Sequence, residues 1–220
     1  MIEDIYLKRL ILAELIVSGF SKIKGFTLEE ILICKNNLNS NITVVITDNI
    51  YVVEKKSRNH IHSTVIDVVG NSLINSVSIN KQQDQIVIGF VSEGVKIYNF
   101  SDDFELWGKS DIIKPSDIKL GDQFGFFVIH GFNDEIIVSA PNKSIFIENK
   151  EYKNTGAIYS CRRTKPFFSE EGNFSLYNYS CEEIPFHNKH NVKPYDLLGY
   201  HITKVNDHVE IKGINNSFIY

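Results

Sequence analysis

Four pairs of short apolar runs, each pair joined by a tight polar turn, recur along a chain rich in aromatic residues, and together they predict an all-β fold of repeated sheets. The pairs are Ile42 to Lys55, Gln85 to Phe100, Glu135 to Lys150 and His208 to Tyr220. Their turns centre near Asp48, Ser92, Pro141 and Gly213, so the first two intervals are about 44 and 49 residues and the third about 72. A period in the forties is the spacing of β-propeller blades. Fifteen Phe and ten Tyr against five Pro and one Met favour strands, because aromatic side chains fit a pleated, half-buried surface.

Taken in order, residues 1–20 stand apart from the repeats. Lys8 and Arg9, the apolar run Leu10 to Val17 and the small residues after it imitate a secretory signal. Glu3 and Asp4 occupy the would-be positive region, however, and Glu14 interrupts the apolar run. The run is also shorter than the ~18–20 uncharged residues of a membrane-spanning helix. Two readings stay open here, a short N-terminal amphipathic helix packed on the domain and a degenerate signal. No other stretch has the length and apolarity of a membrane span.

Residues 21–220 divide into units at about 22–70, 71–116, 117–194 and 195–220. Each hairpin is preceded by a further strand-like run: EEILICK, INSVSIN, FGFFVIH and LGYHITK. The first three are followed by a fourth, HSTVIDVV, DFELWGK and GAIYSCRR. Four strands per unit is the make-up of a propeller blade, and the last unit stops after its third strand. The expectation is therefore a partial β-propeller of about four four-stranded blade units, the last incomplete. Runs such as Ile42 to Ile46 and Ile86 to Phe90 alternate weakly, as expected of sheets covered on both faces by their neighbours. Cys34, inside the apolar run of the first unit, reads as a buried free thiol.

The most informative stretch is GDQFGFFVIHGFNDEIIVSAPNKS, Gly121 to Ser144. Phe124-Gly125 opens a strand and Ser139-Ala140-Pro141 closes the next. Phe124 is expected to fill the gap between adjacent blades and Gly125 to let the backbone pass closely. Proline at 141 would start a turn with its fixed dihedral.

Phe-Gly followed by Gly-Ala-Pro is the mark of the FG-GAP repeats that build the propeller of integrin alpha subunits. The segment 117–220 resembles that family, with Ser139 in place of the motif's Gly and Leu198-Gly199 in place of the next Phe-Gly. NTGAIYSCRR, Asn154 to Arg163, is similar to the last strand of the first integrin alpha repeat. The resemblance implies a disulfide between Cys161 and Cys181; the alternative, three reduced cysteines in a cytosolic protein, stays open. Closing that loop would stabilise the fold by about 3 kcal/mol.

The resemblance further implies a non-catalytic, extracellular or cell-surface module acting in adhesion, with an integrin beta-like subunit or a matrix ligand as partner. Its candidate binding loops are the insertion between the two cysteines, with Phe167, Phe168, Phe174, Tyr177 and Tyr179, and the connector Asn188 to Tyr195; the alternative is that these side chains pack a long loop. Asn41, Asn99, Asn142, Asn173, Asn178 and Asn215 each head an Asn-x-Ser/Thr triplet, the acceptor pattern for N-glycosylation in secreted proteins. A cytosolic propeller scaffold is the alternative. Phospholipases specific for glycosylphosphatidylinositol also carry such repeats, but their catalytic domain has no counterpart here.

Other classes find little support. A net charge of −4 and the absence of a basic cluster give no footprint for nucleic acid. There is no Gly-x-Ser-x-Gly, P-loop or dinucleotide-binding turn. Integrin alpha repeats often wrap calcium in an Asp-x-Asp-x-Asp-Gly loop, whereas Gly131 to Glu135 and Asn206-Asp207 offer too few oxygens. The pairs His60/His62 and His187/His190 lack further ligands at metal spacing. No enzyme activity, metal or cofactor is expected.

Overall fold

The computed structural model describes residues 32–34, 42–46, 50–56, 61–68, 74–90, 94–101, 106–164, 179–186 and 193–220. The chain forms two compact units, Met1–Gly70 and Asn71–Tyr220. The first contains one antiparallel meander of four strands, β1 (Leu32–Cys34), β2 (Ile42–Ile46), β3 (Ile50–Lys56) and β4 (Ile61–Val68), in the order β1-β2-β3-β4. In the register of β2 and β3, Val44 pairs with Val53 and Val45 with Val52.

The second unit holds three larger sheets. β5 (Ile74–Ile79), β6 (Gln85–Phe90), β7 (Gly94–Ser101) and β8 (Leu106–Ile113) form another four-stranded meander. Next comes a sheet ordered β14-β13-β10-β9, from β9 (Val128–His130), β10 (Ile136–Ala140), β13 (Ala157–Arg163) and β14 (Tyr179–Glu183). β15 (His201–Val205), β16 (His208–Lys212) and β17 (Ser217–Ile219) make a three-stranded meander. Among the described residues all strand pairings are antiparallel, no sheet closes on itself and there is no helix; one isolated parallel bridge joins Gly156 and Leu198. Residues 1–20, expected as a helix or signal, lie outside the described residues.

The third sheet corrects two sequence expectations. Glu135 to Lys150 is not a hairpin, because β10 pairs with β9 on one side and with β13 on the other. The chain after Pro141 instead leaves the sheet and folds on itself as a separate hairpin, β11 (Ile145–Ile147) with β12 (Lys150–Tyr152). GAIYSCRR consequently supplies the third strand of its sheet, and Tyr179–Glu183 the fourth. The physical reason is burial: every residue of β10 is buried, whereas β11 is partly exposed and cannot cover the same core.

Strands in the middle of these sheets bury both faces. Ile136, Val138, Ala140, Ala157 and Tyr159 point to one side and pack with Val87, Val95 and Ile97 of the preceding sheet. Ile137 and Ile158 point to the other and pack with Ile202, Val209 and Ile211 of the following sheet. Two-sided burial explains why β6 and β10 show no clean alternation of apolar and polar residues. It also means that each sheet's faces depend on its neighbours.

Phe124 sits in the first of these layers, 2% exposed, with its ring edge-on to Tyr159 at 5.3 Å. It precedes β9 rather than opening it, in a turn where Gly121, Gln123 and Gly125 all have positive φ. Leu198 takes the same place in the second layer, fully buried, in a turn where Tyr195, Leu197 and Gly199 have positive φ. Positive φ at three alternate residues is rare outside glycine, so its recurrence identifies Asp122-Gln123-Phe124-Gly125 and Asp196-Leu197-Leu198-Gly199 as one local structure used twice. Gly125 N donates to Ser139 O at 3.0 Å and Gly199 N to Lys212 O at 3.1 Å, closing both turns on the second strand of their own sheets.

The glycines meet the sheet behind them. A Cβ on Gly125 would lie 2.9 Å from Gly94 O and 3.1 Å from Phe90 N, and one on Gly199 would lie 2.6 Å from Ser139 Cβ. Gly125 O in turn leaves room only for glycine at 89, where a Cβ would stand 2.0 Å away. Gly89 and Ser139 are therefore equivalent small residues, each covered by the glycine turn of the next sheet.

These contacts predict a graded response. Phe124→Ala should cost about 3–5 kcal/mol. Gly125→Ala should cost several kcal/mol, since it combines a clash with a disfavoured φ. Gly121→Ala, with nothing within 4 Å of its Cβ, should cost only the backbone term of about 1–3 kcal/mol. Urea denaturation of the three variants checks the order.

Candidate functional site

Because the strands alternate in direction, the sheets of the second unit have two distinct edges. One carries the connections 114–127, 141–156, 193–200 and 213–216; the other carries the turns 80–84, 131–135 and 206–207. On the connection edge the loops bond to one another: Asn142 N donates to Asp122 O at 3.2 Å, Tyr195 N to Lys153 O at 2.8 Å and Ile214 N to Asp196 O at 2.6 Å. Asp196 is itself buried and accepts from Asn215 N and Asn216 Nδ2, each at 2.7 Å.

Lys143, just after the Ser-Ala-Pro turn, is the centre of the polar cluster at this edge. Its ammonium donates to Asp117 Oδ2, to the Tyr159 hydroxyl and, at 2.9 Å, to Glu183 Oε2. The Tyr159 hydroxyl in turn donates a hydrogen bond to Asp117 Oδ2 at 2.7 Å. Burial pulls the lysine pKa down, but the hydrogen bonds from these three partners outweigh it and hold the ammonium above its ordinary value. Burial, with Asp117 beside it, raises the Tyr159 phenol. For Asp117 the bonds to Lys143 and Tyr159 overcome the opposing effect of burial and lower its pKa. A protonated amine, a neutral phenol and an ionised carboxylate at neutral pH make a latch for the connections, with no free base or nucleophile among the three.

The turn edge holds two further polar groups. Glu135 is buried, and its Oε1 accepts from Ser160 Oγ, from Tyr220 Oη at 3.0 Å and from Arg162 Nη2 at 3.4 Å. Beside them lies a partly open depression of about 320 Å³, walled by Ser160, Arg162, Ser180, Glu182, Pro185 and Tyr220 among others. Burial first, and then Glu135, raises the Tyr220 phenol. His130, at the end of β9, bridges to the preceding sheet: its backbone N donates to Ser78 Oγ at 3.0 Å, and its ring nitrogens lie 2.8 Å from Ser78 Oγ and 3.2 Å from Gln85 Oε1. In the neutral imidazole Nε2 donates to Gln85 Oε1 and Nδ1 accepts from the Ser78 hydroxyl.

Cys161 and Cys181 form a disulfide, and they stand directly opposite each other in the β13–β14 register. Cys161 is fully buried. Of the candidate binding residues, Phe167, Phe168, Phe174 and Tyr177 lie outside the described residues. Tyr179 is turned toward the core, packs beside the disulfide and accepts from Gln85 Nε2 at 3.2 Å. Among the candidate acceptors for glycans, Asn215 is exposed in the β16–β17 turn and Asn142 is half-buried. Asn99 lies inside β7, its Oδ1 accepting from Gln85 Nε2 at 2.8 Å. Asn41, Asn173 and Asn178 lie outside the described residues, as do His60, His187 and His190. Among the described residues no group of three metal-ligating side chains converges, and no helix is long and apolar enough to cross a membrane.

Sequence reasoning missed Lys143, His130 and Glu135. The partners of Lys143 come from positions 26, 16 and 40 residues away, and only the fold brings them together. The single local hint was Gly131 to Glu135, read as too poor in oxygens for calcium; its glutamate turns inward instead. No family model matches the chain, and no curated protein matches it.

Two outcomes follow from this geometry. The His130 pKa is pushed down to about 4, by burial first and the Lys204 ammonium second, against a smaller pull from Asp84. The folded state thus disfavours the proton that the unfolded chain takes up near pH 6.5. The contribution is present above pH 6.5 and is lost as pH falls through about 4, amounting to about 3 kcal/mol. The stability difference between the parent and His130→Gln, measured by urea unfolding across that range, should shrink accordingly. Separately, Cys161→Ala with Cys181→Ala should lower stability by about 3 kcal/mol in the same assay.

Proposed function

We propose that this chain is a non-catalytic recognition module of the integrin alpha type, an extracellular blade array acting in cell adhesion through a protein partner. One observation carries the reading: the glycine turn that seats Phe124 between two sheets recurs with Leu198 between the next two. The residues after each turn also meet their equivalents. Phe126 stacks on Tyr200 at 5.4 Å, and Phe127 meets His201 edge-on at 5.4 Å. Asn75, at the matching place in β5, donates from Nδ2 to Phe126 O at 2.7 Å. The first strands β5, β9 and β15 thus run side by side, as the inner strands of propeller blades do, and support a radial arrangement.

A repeated rigid frame that projects loops suits binding better than chemistry. The disulfide supports an oxidising, extracellular setting. Within this reading the partner is met by the insertion that leaves the turn edge at Arg163 and returns at Tyr179, through Phe167 and Phe168, since aromatic side chains dominate the energetics of protein interfaces.

Cell attachment to surfaces coated with the secreted chain tests this directly. Cells should adhere, and Phe167→Ser with Phe168→Ser should reduce adhesion at least about tenfold. Adhesion no greater than to an inert protein coat would sink the reading.

A further inference from the structure

Cys161 and Cys181 join two strands of unequal standing. β13 lies inside its sheet, between β10 and β14, whereas β14 is an outer strand that pairs only with β13 among the described residues. Cys161 is fully buried and Cys181 half-buried. Ile184 N donates to Ile158 O at 2.8 Å, so the hydrogen-bonded positions of this ladder continue at Ser160 with Glu182 and Arg162 with Ser180. Cys161 and Cys181 fall between them, at a pair that exchanges no backbone hydrogen bonds. The sulfur bridge is what holds the strands at that point.

Apart from the bridge, β14 is lightly held. Ser180, Glu182 and Glu183 are exposed, and the strand's apolar packing comes from Tyr179 and Cys181, beside the layer filled by β10, β13 and the preceding sheet. Tyr179 is tied to Gln85 Nε2 at 3.2 Å and Glu183 to Lys143 at 2.9 Å. An outer strand with few buried apolar contacts opens at lower free energy than the core it borders. Arg163 and Tyr179, where the insertion leaves and returns, are partners in the same register, so β14 fixes the base of the insertion.

We propose that the Cys161–Cys181 disulfide is a thiol-operated clasp: its reduction releases β14 from β13, loosens the base of the insertion and switches off recognition there, while the rest of the sheet stays folded. The clasp stands on the strand geometry, and its effect on recognition rests on the adhesion reading. A dithiol's thiolate attacks Cys181 Sγ, on the more accessible side of the bridge; the S–S bond breaks, and Cys161 leaves as a thiolate and takes up a proton. The second thiolate of the dithiol attacks the mixed disulfide, Cys181 is released as a thiol, and the dithiol ends oxidised to its own disulfide. Opening a closed loop of this length shifts the opening equilibrium of β14 about a hundredfold.

Hydrogen exchange of the full chain, read by mass spectrometry before and after dithiothreitol, tests the clasp. Amides of Tyr179 to Glu183 should exchange about a hundredfold faster after reduction, those of Ile136 to Ala140 should keep their rates, and reoxidation should restore the parent pattern. Iodoacetamide should label Cys181 ahead of Cys161. A bridge that resists dithiothreitol in the folded chain overturns the proposal. So does unchanged exchange in β14, faster exchange throughout the sheet, or labelling of Cys161 first. Cell attachment is then compared for the oxidised chain and for the reduced, alkylated chain freed of dithiothreitol. Reduction should lower attachment about tenfold or more, through the lost preorganisation of the insertion, and equal attachment overturns the switch. If the oxidised chain itself fails to attach, the adhesion reading falls, and the exchange rates alone decide the clasp.

Discussion

The second unit depends on close approach between the glycine turn of one sheet and the small residue on the second strand of the sheet before it. Gly125 lies over Gly89, and Gly199 over Ser139, at distances that leave no room for a Cβ without displacing backbone or a packed side chain. That approach brings Phe124 and Leu198 into the layers between sheets, where both are almost fully buried. Everything else in the packing follows from it. If the turns stood an ångström further out, the two apolar layers would open, and neither the central nor the flanking sheets could cover their faces.

The buried polar groups act on this frame rather than compete with it. Lys143 joins the segment before the first glycine turn, through Asp117, to the third and fourth strands of the same sheet, through Tyr159 and Glu183. His130 joins two sheets through Ser78 and Gln85, and Gln85 reaches on to Asn99 and Tyr179. Glu135 gathers Ser160, Arg162 and Tyr220 from two sheets. Partial burial of these groups would be costly if any partner were missing, and in each case the ring, ammonium or carboxylate is satisfied. Such networks specify which neighbour belongs where, a task that apolar contacts alone perform poorly.

The strand directions divide the unit's surface into two edges with different chemistry. The connection edge carries lysines and protruding apolar tips, and its loops are fastened to one another. The turn edge carries short turns, the inward-facing Glu135 and the ends of the insertion closed by the disulfide. No local sequence pattern displays this separation.

By itself the sequence determined the strand-rich class, most of the strand positions and the two places where Phe124-Gly125 and Leu198-Gly199 interrupt them. These properties are local: β-branched and aromatic runs, polar turns and glycines act through near neighbours in the chain. The resemblance also pointed to Cys161 and Cys181 as a pair. Tertiary structure alone decided that Ile136–Ala140 pairs with Ala157–Arg163 across the β11–β12 excursion, since two apolar strands compete for β10 and only the more deeply buried one completes the core. It also decided that Gly89 is the partner of Gly125, that Asn99 lies inside a strand, and that Lys143, His130 and Glu135 find their partners. Those outcomes depend on contacts between residues 14 to 85 positions apart, whose energies exist only once the sheets have come together.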